Sequence, residues 1–419
     1  MNIVLAKIAI SVLCTGLLVI AFKQKKYLIN LSTAGSPAIW LGSAWIGTRL
    51  LPFILIYLIL GVEPTSDVNG FWYMATHAAL GDLVYRDFWS PYSPLFSYFL
   101  GIGSILWNNP RVVVLMMILM EGIAVLLSWH YFRPHVGKSS LFFYTIIYFL
   151  LPGSLILSVV GAQEDVWMWL FYTLAFILGK RKNNIWMYSF LLAIGVLMTK
   201  AIFVLFLVPL FFLEKEKWRF ALPLASVGLA SVLCLYFNVG DAFLQPMGEA
   251  DTLRAPNIIS VLNPWFFDRL GAGASVWNWV GLVVTLLMGG ITTWKWRHKK
   301  FEEAASYIFI IMYATLMIVQ QSAYSNYIFI FLLPLALGLG QLENRNFVRF
   351  ILFYTIVCVI HPSYWWRLGM PKYLSISDIF QNVSSLIDYV LQASIVLLTI
   401  GLIVYLFKNN DDRKVESIP

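Results

Sequence analysis

The chain has little charge for its length. Only 12% of its 419 residues are Asp, Glu, Lys or Arg, about half the share of an ordinary soluble protein. So few charges cannot cover the surface of a soluble protein of this size, which excludes that class. Hydrophobic residues make up 60% of the chain, and its mean hydropathy is +0.77. Lipid is therefore the natural solvent for most of this surface.

Cysteine is scarce, and internal symmetry is lacking. Cys14, Cys234 and Cys358 all lie within apolar runs, so they predict neither a disulfide framework nor a zinc site. No repeat of 20–50 residues and no low-complexity segment is visible. The two matching halves of an inverted-repeat transporter are not evident either, which lowers that interpretation without excluding it.

Long apolar runs account for most of the chain. A straight transmembrane helix needs about 20 residues, so runs of 13 to 16 residues must extend into their flanks or be partly re-entrant. The sequence predicts an all-α polytopic membrane protein with about 13 transmembrane helices in a single domain, residues 1–419. The predicted spans are 3–22, 37–60, 111–132, 139–160, 165–179, 184–199, 201–213, 219–237, 276–294, 304–321, 326–340, 347–361 and 384–407.

Basic residues predict the orientation. The first apolar run is followed by Lys23, Lys25 and Lys26, so we interpret it as a retained helix with its N-terminus outside. On this topology 20 of the 29 lysines and arginines lie in inner loops and 7 in outer loops, while Lys7 and Arg49 fall within spans. The C-terminus is then cytoplasmic. The positive balance is an orientation signal and gives no reason to infer nucleic-acid binding.

The longer connections are predicted on the outer face. They are residues 61–110, 238–275 and 361–383, and they provide enough chain to build a site. The run Pro94–Trp107 is too short to span, and we interpret it as a helix lying in or dipping into the interface. Were it a full span, the charge bias of every later loop would reverse.

The first outer loop contains an amphipathic helix over 67–81. Ser66 or Asp67 is a natural N-cap, and Gly81 is a natural end. A helix with one apolar and one polar face is expected to lie along the membrane surface. Its apolar face comprises Val68, Phe71, Trp72, Ala75, Ala78 and Ala79, and its polar face Asn69, Thr76 and His77.

Several motifs at predicted outer positions follow one another in a recognisable order. After Asp67 come Tyr85-Arg-Asp and Ser90-Pro-Tyr-Ser-Pro-Leu-Phe, then Gly161-Ala-Gln-Glu-Asp-Val, Met198-Thr-Lys-Ala and Ser325-Asn-Tyr-Ile-Phe-Ile-Phe-Leu-Leu-Pro. Over roughly residues 45–340 this order resembles the GT-C superfamily of integral-membrane glycosyltransferases, most of all its polyprenyl-phosphate-sugar-dependent, family 87-like branch. The chain departs from that pattern in its extra N-terminal span and in Glu-Asp after Gln163, where Asn-Asp is commoner.

The resemblance implies roles for the outer acids. Asp67 would be the general base for an acceptor hydroxyl in an inverting displacement. The plain alternative is that Asp67 only caps its helix. Gln163, Glu164 and Asp165 would bind sugar hydroxyls or orient the acceptor, although they could equally be a solvated helix start.

Candidate cations for the departing phosphate lie on the same face. Lys200 is flanked by apolar runs, and a fixed cation there would neutralise the leaving group. It could instead be an interfacial lysine that snorkels. Arg254 and Arg367 are further candidates, each as readily a solvated loop charge. Tyr327 could donate to the phosphate or belong to the aromatic belt.

The predicted activity is transfer of a hexose, mannose by the resemblance, from a polyprenyl-phosphate donor to a lipid-linked or cell-envelope glycan. It would occur on the outer face of a bacterial or archaeal plasma membrane. No cofactor is expected, and a divalent metal is possible but not expected. His77 and His361 have no second histidine at ligand spacing. The alternatives are a transporter or flippase, an oligosaccharide ligase or polymerase, and a non-catalytic scaffold.

Two ionisable residues fall near the middle of predicted spans. Arg49 lies in the 37–60 span and Glu121 in the 111–132 span. Because unpaired charges in a membrane are costly, we expect these two to form a structural ion pair.

Overall fold

A computed structural model describes residues 3–34, 36–339 and 341–408, and every regular element in these ranges is helical. The described residues contain no β-strand, only an isolated bridge between Val84 and Phe88. The predicted all-α class is therefore confirmed. The end of the chain, with the predicted inner residues Arg413 and Lys414, lies outside the described residues.

The N-terminal half contains ten helices. The basic segment after the first span, predicted as a loop, is itself helical. In chain order the helices are α1 (Ile3–Lys23), α2 (Lys25–Ala34), α3 (Pro37–Ile59), α4 (Asp67–Ala79), α5 (Pro94–Leu106), α6 (Arg111–Phe132), α7 (Lys138–Leu150), α8 (Pro152–Val160), α9 (Trp167–Leu178) and α10 (Ile185–Met198).

The C-terminal half contains nine more, with 3₁₀ turns at Gly240–Asp251 and Asn263–Phe266 in the second long outer segment. They are α11 (Ala201–Leu213), α12 (Lys217–Val239), α13 (Ile258–Leu262), α14 (Ser275–Trp296), α15 (Phe301–Val319), α16 (Ser325–Gly338), α17 (Arg345–Arg367), α18 (Ile376–Ile379) and α19 (Val383–Lys408).

Eight helical segments in the described residues are long and apolar enough to cross a membrane, and α7 with α8 makes a ninth if the two form one span bent by 61°. Pro152 begins the second part of that bend, where its missing N–H breaks the helical hydrogen bonding. The protein is thus an all-α chain of the polytopic membrane type. The remaining predicted spans correspond to shorter helices, so the count of 13 stays a prediction.

Ion pairs between distant segments occur at both ends of the molecule. Each pair joins two residues that were predicted on the same side of the membrane, which agrees with the grouping of the loops. At the predicted outer end are Arg111–Glu63, Lys200–Glu164 and Lys200–Asp165, and at the predicted inner end are Lys25–Glu343, His135–Glu302 and Lys180–Glu214.

The α4–α5 hairpin begins and finishes at the same end of the molecule. Arg111, which opens α6, lies 2.5 Å from Glu63, which follows α3. Ser93, just before α5, donates its backbone N–H to Thr199 O at the outer end of α10. With 13 residues, α5 is also only about 20 Å long. The predicted short, non-spanning helix at Pro94–Trp107 agrees with this path.

Close packing holds the hairpin together. Val68, Phe71 and Ala75 of α4 are buried, as the amphipathic pattern predicts. Gly101 of α5 faces α4 so closely that a Cβ there would lie 3.2 Å from the Ala78 Cβ. The close approach of the two helices therefore favours a glycine at this position, and the hairpin positions Asp67 at the start of α4.

The predicted Arg49–Glu121 pair is present. The guanidinium Nε and Nη2 lie 2.7 and 2.8 Å from the two carboxylate oxygens, and both side chains are fully buried. Arg49 also donates to Phe149 O and Ser154 Oγ. The side chains of α15 and α16 are among the most buried in the described structure, whereas those of α12 are largely exposed.

Candidate active site

Asp67 is the first residue of α4, and its carboxylate is directed toward another segment. Ser66 occupies the N-cap position with a φ of 64° and makes no side-chain cap bond. The exposed Asp67 carboxylate instead accepts a hydrogen bond of 2.6 Å from Gln163 Nε2. Capping therefore does not account for the orientation of this side chain.

Gln163 is held between three partners. Its Nε2 also donates to Gly161 O, and its Oε1 accepts a hydrogen bond from Asn326 Nδ2. The preceding Ala162 has a φ of 46°, in the left-handed region that costs a non-glycine residue about 1–2 kcal/mol. The chain turns sharply at this residue, between α8 and α9. The hydrogen bonds to Gly161 and Asn326 fix the Gln163 amide with its N–H toward Asp67.

Glu164 and Asp165 follow directly and share one cation. Lys200 Nζ lies 2.8 Å from Glu164 Oε1 and 2.6 Å from Asp165 Oδ1. Both carboxyls are almost fully buried, so neither is a solvated helix start. Glu164 Oε2 and Asp165 Oδ2 are buried without a hydrogen-bond partner in the described structure. Unpaired buried oxygens of this kind are uncommon, and each can still accept a hydrogen bond.

Burial dominates the electrostatics of this cluster. Desolvation raises the pKa of Asp165 to about 7, against the opposing effect of Lys200. The two carboxylates hold the pKa of Lys200 well above its usual value, even though burial acts in the other direction. Near pH 7 Lys200 therefore stays protonated, while Asp165 exchanges its proton.

Aromatic side chains surround Lys200. Its Nζ lies 4.7 Å from the ring centre of Tyr327 and 5.5 Å from that of Tyr92. Tyr327 thus contacts the lysine rather than belonging to an exposed aromatic belt. Tyr92 comes from the Pro-rich segment before α5, so the first outer loop reaches the same cation as α16.

Arg254 lies beside the cluster on the second long outer segment. Its guanidinium is 4.6 Å from the ring centre of Tyr324 and pairs with Glu249 at 2.9 Å. Tyr324 lies three residues before Tyr327, whose ring contacts Lys200. The structure therefore brings Arg254 to the site.

Arg367 is not brought to the site. It is exposed at the end of α17, and no described hydrogen bond or ion pair joins it to the residues above. The helix continues past the predicted span end at residue 361, so that position is helical rather than part of a loop. His361 itself is fully buried, 3.5 Å from Asp388, and His77 pairs with Asp82 at 2.6 Å. The described residues contain no group of three or more metal-ligating side chains.

Three contributors were missed by the sequence analysis: Asn326, Tyr92 and Tyr324. Asn326 and Tyr92 lie inside quoted motifs, and Tyr324 directly precedes one. Their polar or aromatic character at a predicted outer helix start was the available signal.

Comparison of the chain with protein-family models, with curated proteins and with solved structures gives no match.

Proposed function

We propose that this protein is a membrane glycosyltransferase of the GT-C type. It transfers a hexose, mannose in our working hypothesis, from a polyprenyl-phosphate donor to a lipid-linked or cell-envelope glycan on the non-cytoplasmic face. The observation that carries the proposal is the exposed Asp67 carboxylate, fixed by Gln163 next to a buried cluster of two acids and a lysine.

Asp67 has the features of a general base. It is accessible to an acceptor hydroxyl, and the hydrogen bond from Gln163 restricts its orientation. A base must be held within hydrogen-bond reach of the proton that it removes. In an inverting displacement it takes that proton as the acceptor oxygen attacks the anomeric carbon and the phosphate leaves.

Glu164 and Asp165 suit the binding of sugar hydroxyls. Each has a buried oxygen without a donor in the described structure, and sugars supply O–H donors. Lys200 keeps the pair together. Because Asp165 holds a proton in part of the population near pH 7, Lys200 then retains charge toward the donor phosphate. Arg254, paired only with the half-exposed Glu249, supplies a second cation for it.

An apolar groove near Lys200 suits the polyprenyl chain. Its volume is about 510 Å³, and it lies between α10, α11 and α12. Leu197 and Val204, three and four residues from Lys200, line it together with Phe211 and Leu224. A lipid whose phosphate lies at Lys200 could therefore extend its tail into the bundle without leaving an apolar environment.

The test is transfer of radiolabelled sugar from polyprenyl-phosphate-mannose and polyprenyl-phosphate-glucose into membrane lipids. Wild type, Asp67→Asn and a matched Asp241→Asn control are compared at equal protein levels. Asp241 is an exposed acid at the start of the Gly240–Asp251 turn, outside the proposed site. We expect transfer by wild type and control and a loss of at least 100-fold in Asp67→Asn, the scale of general-base catalysis.

Equal transfer by Asp67→Asn would remove Asp67 as the base and direct the search to Glu164 and Asp165. No transfer by wild type from either donor would reopen the sugar identity and return the transporter or flippase alternative.

A further inference from the structure

We propose that Asn257 is a positioning residue, which fixes the backbone of Arg254 so that its guanidinium stays beside the Lys200 cluster and binds the phosphate of the lipid donor. The hydrogen bonds around Arg254 are observed in the structure. Their consequence for donor binding rests on the proposed function.

Arg254 lies in an irregular part of the second long outer segment. It falls between the 3₁₀ turn Gly240–Asp251 and α13 (Ile258–Leu262). A residue inside a helix has its backbone N–H and C=O fixed by the helical hydrogen bonds. Arg254 lacks that support, so its position depends on the hydrogen-bond partners that other residues supply.

Both backbone groups of Arg254 have such partners. The Arg254 N–H donates to Gln321 O over 2.8 Å, and Asn257 Nδ2 donates to Arg254 O over 2.7 Å. The same Nδ2 also donates to Gln321 O over 3.1 Å, so both donors of this amide are used. Asn257 and Gln321 are fully buried, where an unpaired amide is costly. One side chain thus supplies two of the three hydrogen bonds that enclose Arg254.

Gln321 is itself well fixed. It lies two residues after Val319, the end of the strongly buried helix α15. Its side chain accepts a hydrogen bond of 3.2 Å from the Gly273 N–H and donates one of 3.0 Å to Ala274 O. The part of the second long outer segment around Arg254 and the part just before α14 are therefore attached to one residue.

The connection between α15 and α16 also contacts the other proposed cation. Tyr324 lies 4.6 Å from the Arg254 guanidinium, and Tyr327 lies 4.7 Å from Lys200 Nζ. Two cations that bind one phosphate must keep a constant separation. Because Asn257 joins Arg254 to this connection, it fixes Arg254 relative to Lys200.

Asn257 has a second role, but that role uses a different atom. Its Oδ1 accepts a hydrogen bond of 2.8 Å from the Ser260 N–H and caps α13, and its own N–H donates to Ser260 Oγ at 3.0 Å. Serine is also a good N-cap, but it has no amide with which to reach Arg254 O and Gln321 O. Asn257→Ser therefore removes the hydrogen bonds to the Arg254 backbone and keeps a cap.

The experiment measures binding of a short-chain polyprenyl phosphate to purified full-length protein in detergent. Polyprenol of the same length measures binding of the tail alone. The variants are Asn257→Ser, Arg254→Met and the double variant Asn257→Ser/Arg254→Met. Ser260→Ala is the matched control, because it removes one hydrogen bond of the same cap and leaves Asn257 Nδ2 in place.

We expect Arg254→Met to bind polyprenyl phosphate at least about tenfold more weakly, since a charge-assisted contact to the phosphate is lost. Asn257→Ser should bind it about three- to tenfold more weakly. The double variant should be no weaker than Arg254→Met alone, because Asn257 acts through Arg254. Polyprenol binding should not change, and Ser260→Ala should match wild type. The kcat/KM for sugar transfer should fall in parallel with phosphate binding.

Equal binding of polyprenyl phosphate by wild type and a folded Asn257→Ser variant would overturn the proposal. Additive losses in the double variant, or an equal loss in Ser260→Ala, would also refute it, because a general disturbance of the segment would then explain the effect. Asn257→Thr, which keeps a capping oxygen and fills more space, is the second variant if Asn257→Ser does not fold.

The binding assay separates this inference from the proposed function. The expected pattern of binding in a protein that transfers no sugar would support the role of Asn257 and count against the glycosyltransferase. Sugar transfer with unchanged binding in Asn257→Ser would support the glycosyltransferase and remove the positioning role. Wild type that binds no polyprenyl phosphate would contradict both.

Discussion

Two groups of buried charged side chains in this protein offset the cost of burying charge in different ways. Arg49 and Glu121 form a one-to-one pair in which both carboxylate oxygens are bonded to the guanidinium. At the predicted outer end, Lys200 is shared by Glu164 and Asp165, and each acid keeps an oxygen with no hydrogen-bond partner in the described structure.

The difference teaches where to look for function in a membrane bundle. A complete pair lowers the cost of its own burial and needs nothing further. A cluster of two acids and one base keeps carboxylate oxygens that can still accept a hydrogen bond from a ligand or bind a proton. Saturation of hydrogen bonding therefore separates the structural pair from the candidate site better than burial does.

The largest expected effect is on stability at the complete pair. Glu121→Gln leaves the Arg49 charge buried without a counter-ion, and we expect a loss of about 3–5 kcal/mol in the free energy of unfolding. The double variant Arg49→Met/Glu121→Met should lose less, because no charge is left behind. Thermal unfolding of the purified variants in detergent measures both. Single variants no less stable than the double would refute the structural role.

The same substitution at the incomplete cluster sharpens the comparison. Glu164→Gln leaves Asp165 as a counter-ion for Lys200, so we expect a smaller stability loss than in Glu121→Gln. Sugar transfer should fall at least tenfold, because a carboxylate oxygen that accepts hydrogen bonds is replaced by an amide NH2 group that donates them. Thermal unfolding and the transfer assay are run on one preparation. A loss as large as that of Glu121→Gln would make this cluster structural too.

Stability also depends on pH through Asp165. Its pKa is raised from 3.8 to about 7 in the folded protein, so the folded state holds a proton that the unfolded state releases between these values. This contribution to stability is full below about pH 4 and is lost as the pH rises toward 7, by at most about 1.4 kcal/mol per unit. Stability of wild type minus Asp165→Asn, measured against pH, should show this fall. A flat difference would contradict it.

The smallest effect tests the hairpin that carries Asp67. A Cβ at Gly101 would lie 3.2 Å from both the Ala78 Cβ and the Ala79 N, whereas one at Gly228 of α12 would have no neighbour within 4 Å. We expect Gly101→Ala to be about 1 kcal/mol less stable than Gly228→Ala, since both gain the same helix propensity. Thermal unfolding measures the difference. Equal stabilities would show that α4 shifts freely.

The sequence predicted the features that depend on single residues or on local patterns. Charges deep in spans must be paired, which predicted Arg49 with Glu121. Apolar periodicity predicted α4, although its end at Ala79 lies two residues before Gly81. Motif order brought Asp67, Glu164 and Lys200 to one end.

Contacts between helix ends could not be predicted in this way. That Asn326 holds Gln163, or that Lys200 is bonded by both acids, depends on how separate helices pack, and these partners are 163 and 35 residues apart in the chain.

The ion pair between Glu63 and Arg111 has a consequence for how ligands reach the site. This ion pair joins the two ends of the segment, and a second contact joins Ser93 to Thr199, so the rim of the site is held at two points. These two contacts restrict the movement of the rim. We therefore expect traffic into the site to be governed by how fast lipids exchange sideways in the bilayer, with little delay from any rearrangement of the protein.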